Sequence, residues 1–559
     1  MKKVLSGFVI LFLASAINSV SLGQTFEWAR KSSTNMLSTG ADIATDSHGN
    51  TYVAGTFIGT CSFGDHTLAS ESRDIYLVKY DPQGKVLWAK SAGGRADDFA
   101  YSIALNSDGD CYLAGSFAQT FHIGADSITA KGYHDMFVAK YDSKGELLWT
   151  RTAGGYYDDH AVAISVDKSG NCYVGGFFKD TMWIANTALV GRRVTLFDMF
   201  LAKYDEDGKF QWATTLAGSN YQTQNEALAM VTDRSGSTYL TGFYQGEAIF
   251  DGKKYTNRGG FAMFLAKYDD DGKFLWVRTS NTDASSIVGR GIALDKKGNC
   301  YVAGTFTGSA TLDSITIVTK NLGYPDMFLA KYTPDGNVVW VRTSASFGFK
   351  SPYDVAVDGE GDPYVFGTFR DTASFGPITV SSSGTESLFL VKYASAGVPQ
   401  WAKEVGRHGV VLGKALSIDK SGDVFITGNF TDTAEFGKAH LEAKENTQDM
   451  FFAKLSPRQL VKETKLADPP GPDFTFISCS LDQRSHTATI KYSIPKSNFI
   501  LLEVYDIMGT VAESFIEGQR DAGTYEVKLD MKSFKEDGDY YCRLQAGKDK
   551  QTKKLELTD

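Results

Sequence analysis

The feature that most constrains this chain is an internal repeat with a period of 61 to 64 residues. Its clearest marker is a segment of the form Asp-Met-Phe-Leu-Ala-Lys-Tyr. The copies begin at Asp74, Asp135, Asp198, Ala262, Asp326, Ser387 and Asp449. A fixed period over most of a chain indicates an array of similar supersecondary units, which bury their apolar faces against one another.

Two further markers give the same number of units. Tryptophan recurs at Trp28, Trp88, Trp149, Trp212, Trp276, Trp340 and Trp401. A turn glycine recurs at Gly49, Gly109, Gly170, Gly236, Gly298, Gly361 and Gly422. Because three independent markers each occur seven times, the sequence predicts seven units.

Each unit is expected to form four short strands. Around Gly170, the runs 164–167 and 172–174 flank a Lys-Ser-Gly-Asn turn. Runs rich in β-branched and aromatic residues, bounded by such turns, are typical of β-strands. A variable stretch between the second and third strands, such as residues 372–376, predicts an extra hairpin. About 60 residues and four strands is close to the size of one propeller blade.

The sequence therefore predicts an all-β fold: a seven-bladed β-propeller over residues 24–460 and a small C-terminal β-sandwich. The seventh unit has no tryptophan after Leu455, whereas Trp28 precedes the first complete unit. We expect the strand around Trp28 to pair with residues 449–455 and close the ring, because closure removes exposed strand edges.

Over residues 25–460 the repeats resemble the SBBP family, the beta-propeller repeats of bacterial secreted proteins. The resemblance is carried by segments such as 164–176 (ISVDKSGNCYVGG) and 135–141 (DMFVAKY), the latter followed by Trp149. It implies a seven-bladed propeller in an exported protein.

A different module follows the repeats. Residues 461–473 include Pro469, Pro470 and Pro472 and are expected to form a stiff linker. Residues 474–559 predict a separate β-domain, with strands at 488–492, 501–505, 524–529, 540–544 and 553–557. Glycines at turn positions separate these runs.

This module resembles the type A C-terminal sorting domain of the type IX (Por) secretion system. The matching segments are 504–509 (VYDIMG), 521–525 (DAGTY), 538–547 and 552–555. The motif residues are Tyr505, Asp506, Gly509, Gly523, Gly538, Tyr540, Lys553 and Lys554. The resemblance implies the type IX machinery as a partner. It also implies that the protein passes through the periplasm of a Gram-negative bacterium to the cell surface or the medium.

The N-terminus and the composition agree with export. Residues 1–23 are expected to be a signal peptide: Lys2 and Lys3 precede an apolar run at 4–16, with small residues at 21 and 23. No later apolar stretch reaches about 18 residues, so no transmembrane segment is predicted in the mature chain. The net charge is −9 without a long basic run, which argues against a nucleic-acid partner.

Five of the six cysteines fall into two groups. Cys111, Cys172 and Cys300 occupy equivalent repeat positions and are interpreted as buried strand residues. Cys479 and Cys542 lie in the C-terminal module, where export permits a disulfide. Their connectivity cannot be read from the sequence, so a disulfide and two free thiols both stay open.

Searches for catalytic patterns are negative. The chain has no G-x-S-x-G elbow, and its eight histidines are scattered without zinc-site spacing. No catalytic residue, cofactor or metal site is predicted. The Asp-Asp-Asp-Gly run at 269–272 is interpreted as a hairpin turn. The tryptophans are interpreted as packing between units, and the repeated lysine before each strand-ending tyrosine as a solvated side chain.

One region departs from the repeat symmetry. The loops between the fourth strand of one unit and the first strand of the next read GGRADD at 93–98 and GGYYDDH at 154–160. The candidate ligand-binding residues are Arg95, Asp97, Asp98, Tyr156, Tyr157, Asp158, Asp159 and His160. A solvated loop without a ligand is the favoured reading, and a local ligand site formed by these residues stays open.

Two functions are compatible with these observations. The favoured one is a non-enzymatic binding or display protein outside the cell, with an unknown glycan or protein ligand. The alternative is an extracellular lyase or glycosidase with its site at the channel mouth. An enzyme would need the acidic residues of the two loops and His160 to converge within hydrogen-bond reach.

Overall fold

A computed structural model describes residues 24–191, 197–217, 225–282, 285–319, 323–384, 386–406, 409–457, 460–466, 473–482, 487–506, 511–530, 540–547 and 549–558. In these ranges the regular elements are β-strands, which confirms the all-β prediction. They contain no helix long and apolar enough to cross a membrane. The chain divides into one compact unit at Thr25–Ser456 and a second that contains Pro457–Asp559.

In the first unit the described strands form seven antiparallel sets of four. The first strands are Leu37–Thr45, Phe99–Leu105, Asp159–Val166, Asn225–Thr232, Ile287–Leu294, Lys350–Val357 and Val410–Ile418. The second strands are Thr51–Phe63, Cys111–Phe117, Cys172–Lys179, Thr238–Phe250, Cys300–Phe306, Pro363–Phe369 and Val424–Thr431. The third strands are His66–Tyr80, Asp135–Tyr141, Phe197–Tyr204, Lys253–Tyr268, Asp326–Tyr332, Ser387–Tyr393 and Asp449–Pro457. The fourth strands of sets one to six are Val86–Gly94, Leu147–Gly154, Phe210–Ala217, Phe274–Thr282, Val338–Thr343 and Pro399–Val405.

The seventh set is completed by the N-terminal strand. Gln24–Lys31 pairs with Asp449–Pro457, as the sequence predicted. Each first strand also contacts the first strand of the next set, and Val410–Ile418 contacts Leu37–Thr45. The series of sets is therefore closed. Trp28 lies at this closure, with its ring 4.9 Å from that of Phe452.

Short hairpins between second and third strands confirm the predicted insertions. They are Thr120–Ile123 with Asp126–Thr129, Thr181–Ile184 with Thr187–Val190, Ser309–Leu312 with Ile315–Val318, Thr372–Phe375 with Ile378–Ser381, and Thr433–Phe436 with Ala439–Glu442. The first three pair with the fourth strand of the preceding set. In sets one and four the second and third strands themselves extend into the hairpin. A two-residue strand, Ser33–Thr34, pairs with Thr51–Phe63.

The turn between first and second strands has the predicted chemistry. In the third set, Asp167 Oδ1 accepts hydrogen bonds from the backbone N–H groups of Ser169, at 2.8 Å, and Asn171, at 3.0 Å. Gly170 has a φ of 79°, which a residue with a Cβ adopts only under strain. Equivalent carboxylate caps occur at Asp46, Asp233, Asp295, Asp358 and Asp419.

The repeated third-strand lysine is buried, so its interpretation as a solvated side chain is wrong. Lys140 Nζ lies 3.2 Å from Asp110 Oδ2, and its side chain is 5% exposed. The ammonium also lies 5.1 Å from the Tyr112 ring centroid and 3.5 Å from the carbonyl oxygen of Glu206, in the next set. The next set covers this face of the strand, and the turn aspartate compensates the charge. Equivalent ion pairs are Lys79–Asp46, Lys331–Asp295, Lys392–Asp358 and Lys454–Asp423, whereas Lys203 pairs with Asp270 of the following set.

The tryptophans pack between sets, as predicted. Trp149 Nε1 donates a hydrogen bond to the carbonyl of Glu206 at 3.1 Å. Arg151 Nε donates to the carbonyl of Gly208 at 2.7 Å. A Cβ at Gly208 would lie only 2.7 Å from the Trp149 ring, so glycine is required for this close approach. Trp88, Trp212 and Trp340 donate in the same way to the following set.

The second unit contains two sheets. One has the order Leu460–Lys465, Gly523–Asp530, Thr487–Ile494, Thr475–Asp482 and Glu556–Thr558. The other has the order Val511–Arg520, Asn498–Asp506, Tyr540–Ala546 and Asp549–Lys554. Side chains of both sheets, such as Ile490 and Leu502, form one buried core.

Two sequence expectations meet the structure in this unit. Residues 461–465, expected in the linker, belong to a strand, because their backbone pairs with the open edge of Gly523–Asp530. Cys479 and Cys542 lie in the core as free thiols with their Sγ atoms 2.7 Å apart. This proximity is compatible with the disulfide, which stays a prediction.

The ion pairs of the third-strand lysines should contribute measurably to the free energy of unfolding. We expect Lys140→Ala to destabilise the first unit by about 2 kcal/mol, because Asp110 loses its cation in a nearly closed site. The measurement is the urea midpoint of unfolding. Lys144→Ala, at an exposed turn position, is the matched control and should change stability by less than about 0.5 kcal/mol. Equal midpoints for both variants would contradict a stabilising role for Lys140.

Candidate functional site

The candidate loops lie at two equivalent places. We call Arg73, Asp74, Asp97, Asp98 and Phe99 the first junction, between sets one and two. We call His134, Asp135, Asp158, Asp159 and His160 the second junction, between sets two and three. The backbone N–H of Asp98 donates to the carbonyl of Arg73 at 2.7 Å, and that of Asp159 donates to His134 at 2.9 Å. Because the same backbone hydrogen bond occurs at both junctions, their residues correspond one to one.

One aspartate of each loop is buried, so it is not the solvated side chain that the favoured reading of the loops expects. Asp98 and Asp159 are both 0% exposed. Asp98 Oδ1 accepts a hydrogen bond from Ala118 N at 3.1 Å, and Asp159 Oδ2 accepts one from Gly155 N at 2.7 Å. Burial raises the pKa of each carboxyl to about 8. These two residues anchor their loops inside the protein.

The other aspartate of each loop faces solvent and has a basic partner. Asp97 Oδ2 lies 3.3 Å from Arg73 Nη1, in an exposed ion pair. Asp158 Oδ1 lies 2.8 Å from His134 Nδ1. Arg95 extends into solvent and reaches only Glu71, at 3.6 Å.

His160 is held in an aromatic environment. Its ring lies 4.9 Å from that of Phe177, 6.0 Å from that of Tyr101 and 5.5 Å from that of His134. Burial lowers the pKa of His160 to about 4, so its imidazole is neutral at physiological pH. Its Nδ1 has no hydrogen-bond partner among the described residues.

The second junction therefore collects groups able to hold a metal. His134, Asp158 and His160 each offer one ligand atom, and these three atoms all lie within 4.8 Å of one another. Searching for motifs at fixed spacing missed His134, because it is 24 residues from Asp158 along the chain. Aligning the repeats finds it: His134 takes the place of Arg73, and His160 that of Phe99.

An exposed aromatic cluster adjoins these groups. Tyr156 is 68% exposed and Tyr133 is 60% exposed. The Tyr156 ring lies 5.1 Å from that of Tyr157 and 6.1 Å from that of Tyr133. Lys179 Nζ lies 5.4 Å from the Tyr157 ring centroid. The sequence predicted Tyr156 and Tyr157, whereas Tyr133 lies before a third strand and was missed.

The exposed acidic residue of each loop pairs within its own junction, Asp97 with Arg73 and Asp158 with His134. Among the described residues, no hydrogen bond joins the first-junction carboxylates to those of the second. The two junctions nevertheless adjoin, because the rings of Phe99 and His134 lie 6.2 Å apart.

In the second unit, several residues of the predicted sorting motif lie on one sheet. Tyr505 Oη accepts a hydrogen bond from Arg543 Nη1 at 2.6 Å, and the guanidinium stacks 3.9 Å from the Tyr505 ring centroid. Strands of this sheet also contain Asp506, Tyr540, Lys553 and Lys554. Gly523 begins a strand of the other sheet. Gly509 and Gly538 lie outside the described residues, as does the expected signal peptide at 1–23.

Comparisons with known proteins support the repeat architecture. No protein-family profile matches the chain. An uncharacterized WD repeat-containing protein of Acanthamoeba polyphaga mimivirus is 24% identical over 525 residues, covering 75% of this chain and 37% of that protein. The regulatory protein FlaEY of Caulobacter vibrioides is 28% identical over 217 residues, covering 37% of this chain and 21% of FlaEY. The chain thus spans well under half the length of either relative. Because WD repeats are four-stranded propeller units, the first similarity supports a β-propeller.

The buried carboxyl of Asp98 predicts a pH dependence. An unfolded aspartate ionises near a pH of about 4, whereas Asp98 in the folded chain has a pKa of about 8. Its folded state holds the proton more tightly, so its contribution to stability is lost as pH rises from about 4 to about 8. Asp98→Asn stays neutral and should be more stable than the wild type at the upper end of this range, by at least about 1.4 kcal/mol.

Thermal unfolding of both proteins between pH values of about 5 and about 8 measures this difference. Asp97→Asn, on the exposed neighbour, is the control and should follow the wild type. Parallel curves for wild type and Asp98→Asn would contradict the prediction.

Proposed function

We propose that this chain is a secreted or cell-surface binding protein built on a seven-bladed β-propeller. The closed series of four-stranded sets in Thr25–Ser456 supports the blade count. The similarity to a WD repeat-containing protein supports a repeat scaffold that binds rather than catalyses. The second unit, with one core between two sheets, is a β-sandwich in this proposal and serves export.

The observation that carries the binding proposal is the exposed cluster of Tyr133, Tyr156 and Tyr157. Clustered exposed aromatic rings favour an interaction site, because contiguous apolar patches, unlike single exposed apolar residues, commonly mark binding surfaces. Tyrosine offers an apolar ring face together with a polar hydroxyl. A sugar ring is complementary to it, with C–H groups on its faces and hydroxyls at its edge. We therefore favour a glycan ligand.

The alternative of an extracellular lyase or glycosidase has less support. Such an enzyme needs paired carboxyl groups on opposite sides of one substrate bond. Asp97 and Asp158 belong to different junctions, and the buried Asp98 and Asp159 support loop structure. Binding is the function that the geometry favours.

A glycan array tests the ligand-binding proposal. The wild-type protein should bind a defined set of glycans, and Tyr133→Ala/Tyr156→Ala should weaken that binding by at least about tenfold, a loss typical of an aromatic anchor. Phe347→Ala removes another exposed aromatic, 79% exposed, and is the matched control. Binding that survives in the tyrosine variant would disprove the assigned surface. A wild type that binds no glycan but captures a protein ligand through the same tyrosines would replace the ligand class.

For export, we propose that residues 1–23 direct the chain to the periplasm and that the C-terminal module is recognised by the type IX machinery. The support is the resemblance of segments 504–509, 521–525, 538–547 and 552–555 to that sorting domain. The strand pairing of Asp449–Pro457 with Gln24–Lys31 lies within the propeller itself. The propeller therefore needs no strand from the sorting module.

Truncation tests the export proposal. A chain that ends at Ser456 should accumulate, folded, in the periplasm of a host with the type IX machinery, whereas the full chain reaches the surface or the medium. Cell fractionation measures location, and thermal unfolding measures folding. Export of the truncated chain at the full-length level would refute the sorting assignment. Loss of cooperative unfolding would refute the independence of the propeller.

A further inference from the structure

We propose that the second junction binds one divalent transition-metal ion, of the Zn²⁺ class, through His134, Asp158 and His160. The metal itself is the ligand here, so this inference does not depend on the proposed glycan-binding function.

The backbone holds the three donors close together. The backbone segments at His134 and Asp158 run side by side and form a parallel β-bridge. His134 Nδ1 and Asp158 Oδ1 are 2.8 Å apart, and the donor set that includes His160 falls within 4.8 Å. Ligands of a tetrahedral zinc ion, bound at about 2.0–2.2 Å, lie a little over 3 Å from one another. Small side-chain rotations therefore suffice to bind the metal.

A second observation points to a missing ligand. Among the residues that the structure describes, Nδ1 of His160 is buried without a hydrogen-bond partner, and so are Oδ1 of Asp159 and Oδ1 of Asp135. Buried polar atoms are normally paired, and leaving them unpaired costs free energy. A cation would coordinate an imidazole nitrogen of His160 together with the Asp158 carboxylate.

The first junction shows what occupies this place elsewhere in the same protein. There Arg73 supplies the cation: its Nη1 lies 3.3 Å from Asp97, and its guanidinium lies 5.3 Å from the Phe99 ring centroid. The second junction keeps the aspartate but replaces Arg73 with His134 and Phe99 with His160. The second junction thus has two imidazoles in place of the charged guanidinium and the phenyl ring. A bound metal ion would supply the positive charge that Arg73 supplies at the first junction.

The ligand set also fits an open metal site. Two imidazoles and one carboxylate are donors that zinc and neighbouring transition metals accept. His134 and Asp158 have side chains 28% and 31% exposed, so the site is accessible from solvent. Three protein ligands leave a position for water or an exogenous ligand.

Metal titration of the full chain, purified without a polyhistidine tag, tests the proposal. Calorimetry with Zn²⁺ should give one site per chain. Co²⁺ should give a visible spectrum without thiolate charge-transfer bands, which separates this site from Cys479 and Cys542. Asp158→Asn and His160→Gln should each weaken binding by at least about tenfold.

The neighbouring repeat provides the decisive variant. His134→Arg/His160→Phe rebuilds the first-junction arrangement, which this fold already accommodates, and should abolish zinc binding while leaving the unfolding temperature of the metal-free protein nearly unchanged. Asp97→Asn, at the first junction, is the control and should bind zinc like the wild type. Absence of zinc binding in the wild type would overturn the proposal, as would a site that persists in the double variant. If the double variant does not fold, undiminished zinc affinity in folded His160→Gln and Asp158→Asn would overturn it equally.

Discussion

The propeller unit depends on a charged lysine side chain that one set places against the next. The third-strand lysine is closed off from water, and its ammonium is held between a turn carboxylate, a tyrosine face and carbonyls of the following set, as at Lys140. A buried cation needs all of these partners at once, because any one alone leaves it poorly compensated. Strand spacing and turn geometry are thereby fixed together. The tryptophan and the glycine beneath it, as at Trp149 and Gly208, complete the same contact.

This contact between sets lies at one end of each set. At that end, turns connect the first strand to the second and the third strand to the fourth. The opposite end is free to differ. Where the second junction has Asp135 and Asp159, the junction between sets five and six has a fully buried ion pair, Lys350 Nζ with Asp326 Oδ1 at 3.2 Å. The first junction instead holds its exposed pair of Arg73 and Asp97. Because the lysine ion pairs lie at the other end of the sets, individual junctions can carry groups suited to ligands.

Local patterns predicted the strands, the turns and the closing strand, since a period, a turn aspartate or a missing tryptophan is visible along the chain. Burial of a side chain by a neighbouring set is not visible along the chain. Lys140 looks like an outward side chain in its own strand and becomes buried only when the next set covers it. The burial of Asp98 and Asp159 was not visible in the sequence for the same reason. His134 escaped notice because its partners are distant in sequence, although its repeat position, occupied by Arg73 one unit earlier, marks it as an exception.

The pairing of Gln24–Lys31 with Asp449–Pro457 has a kinetic consequence. It joins the first strand of the unit to emerge during synthesis with the last, so the most distant contact in the unit is also the one that completes it. Contacts of such sequence separation form late and slow folding, although the entropy of closing so long a loop grows only logarithmically with its length. Once made, the contact leaves no terminal repeat from which unfolding could begin, unlike an open solenoid, whose end repeats fray. The unit is thus expected to be slow to complete and slow to unfold.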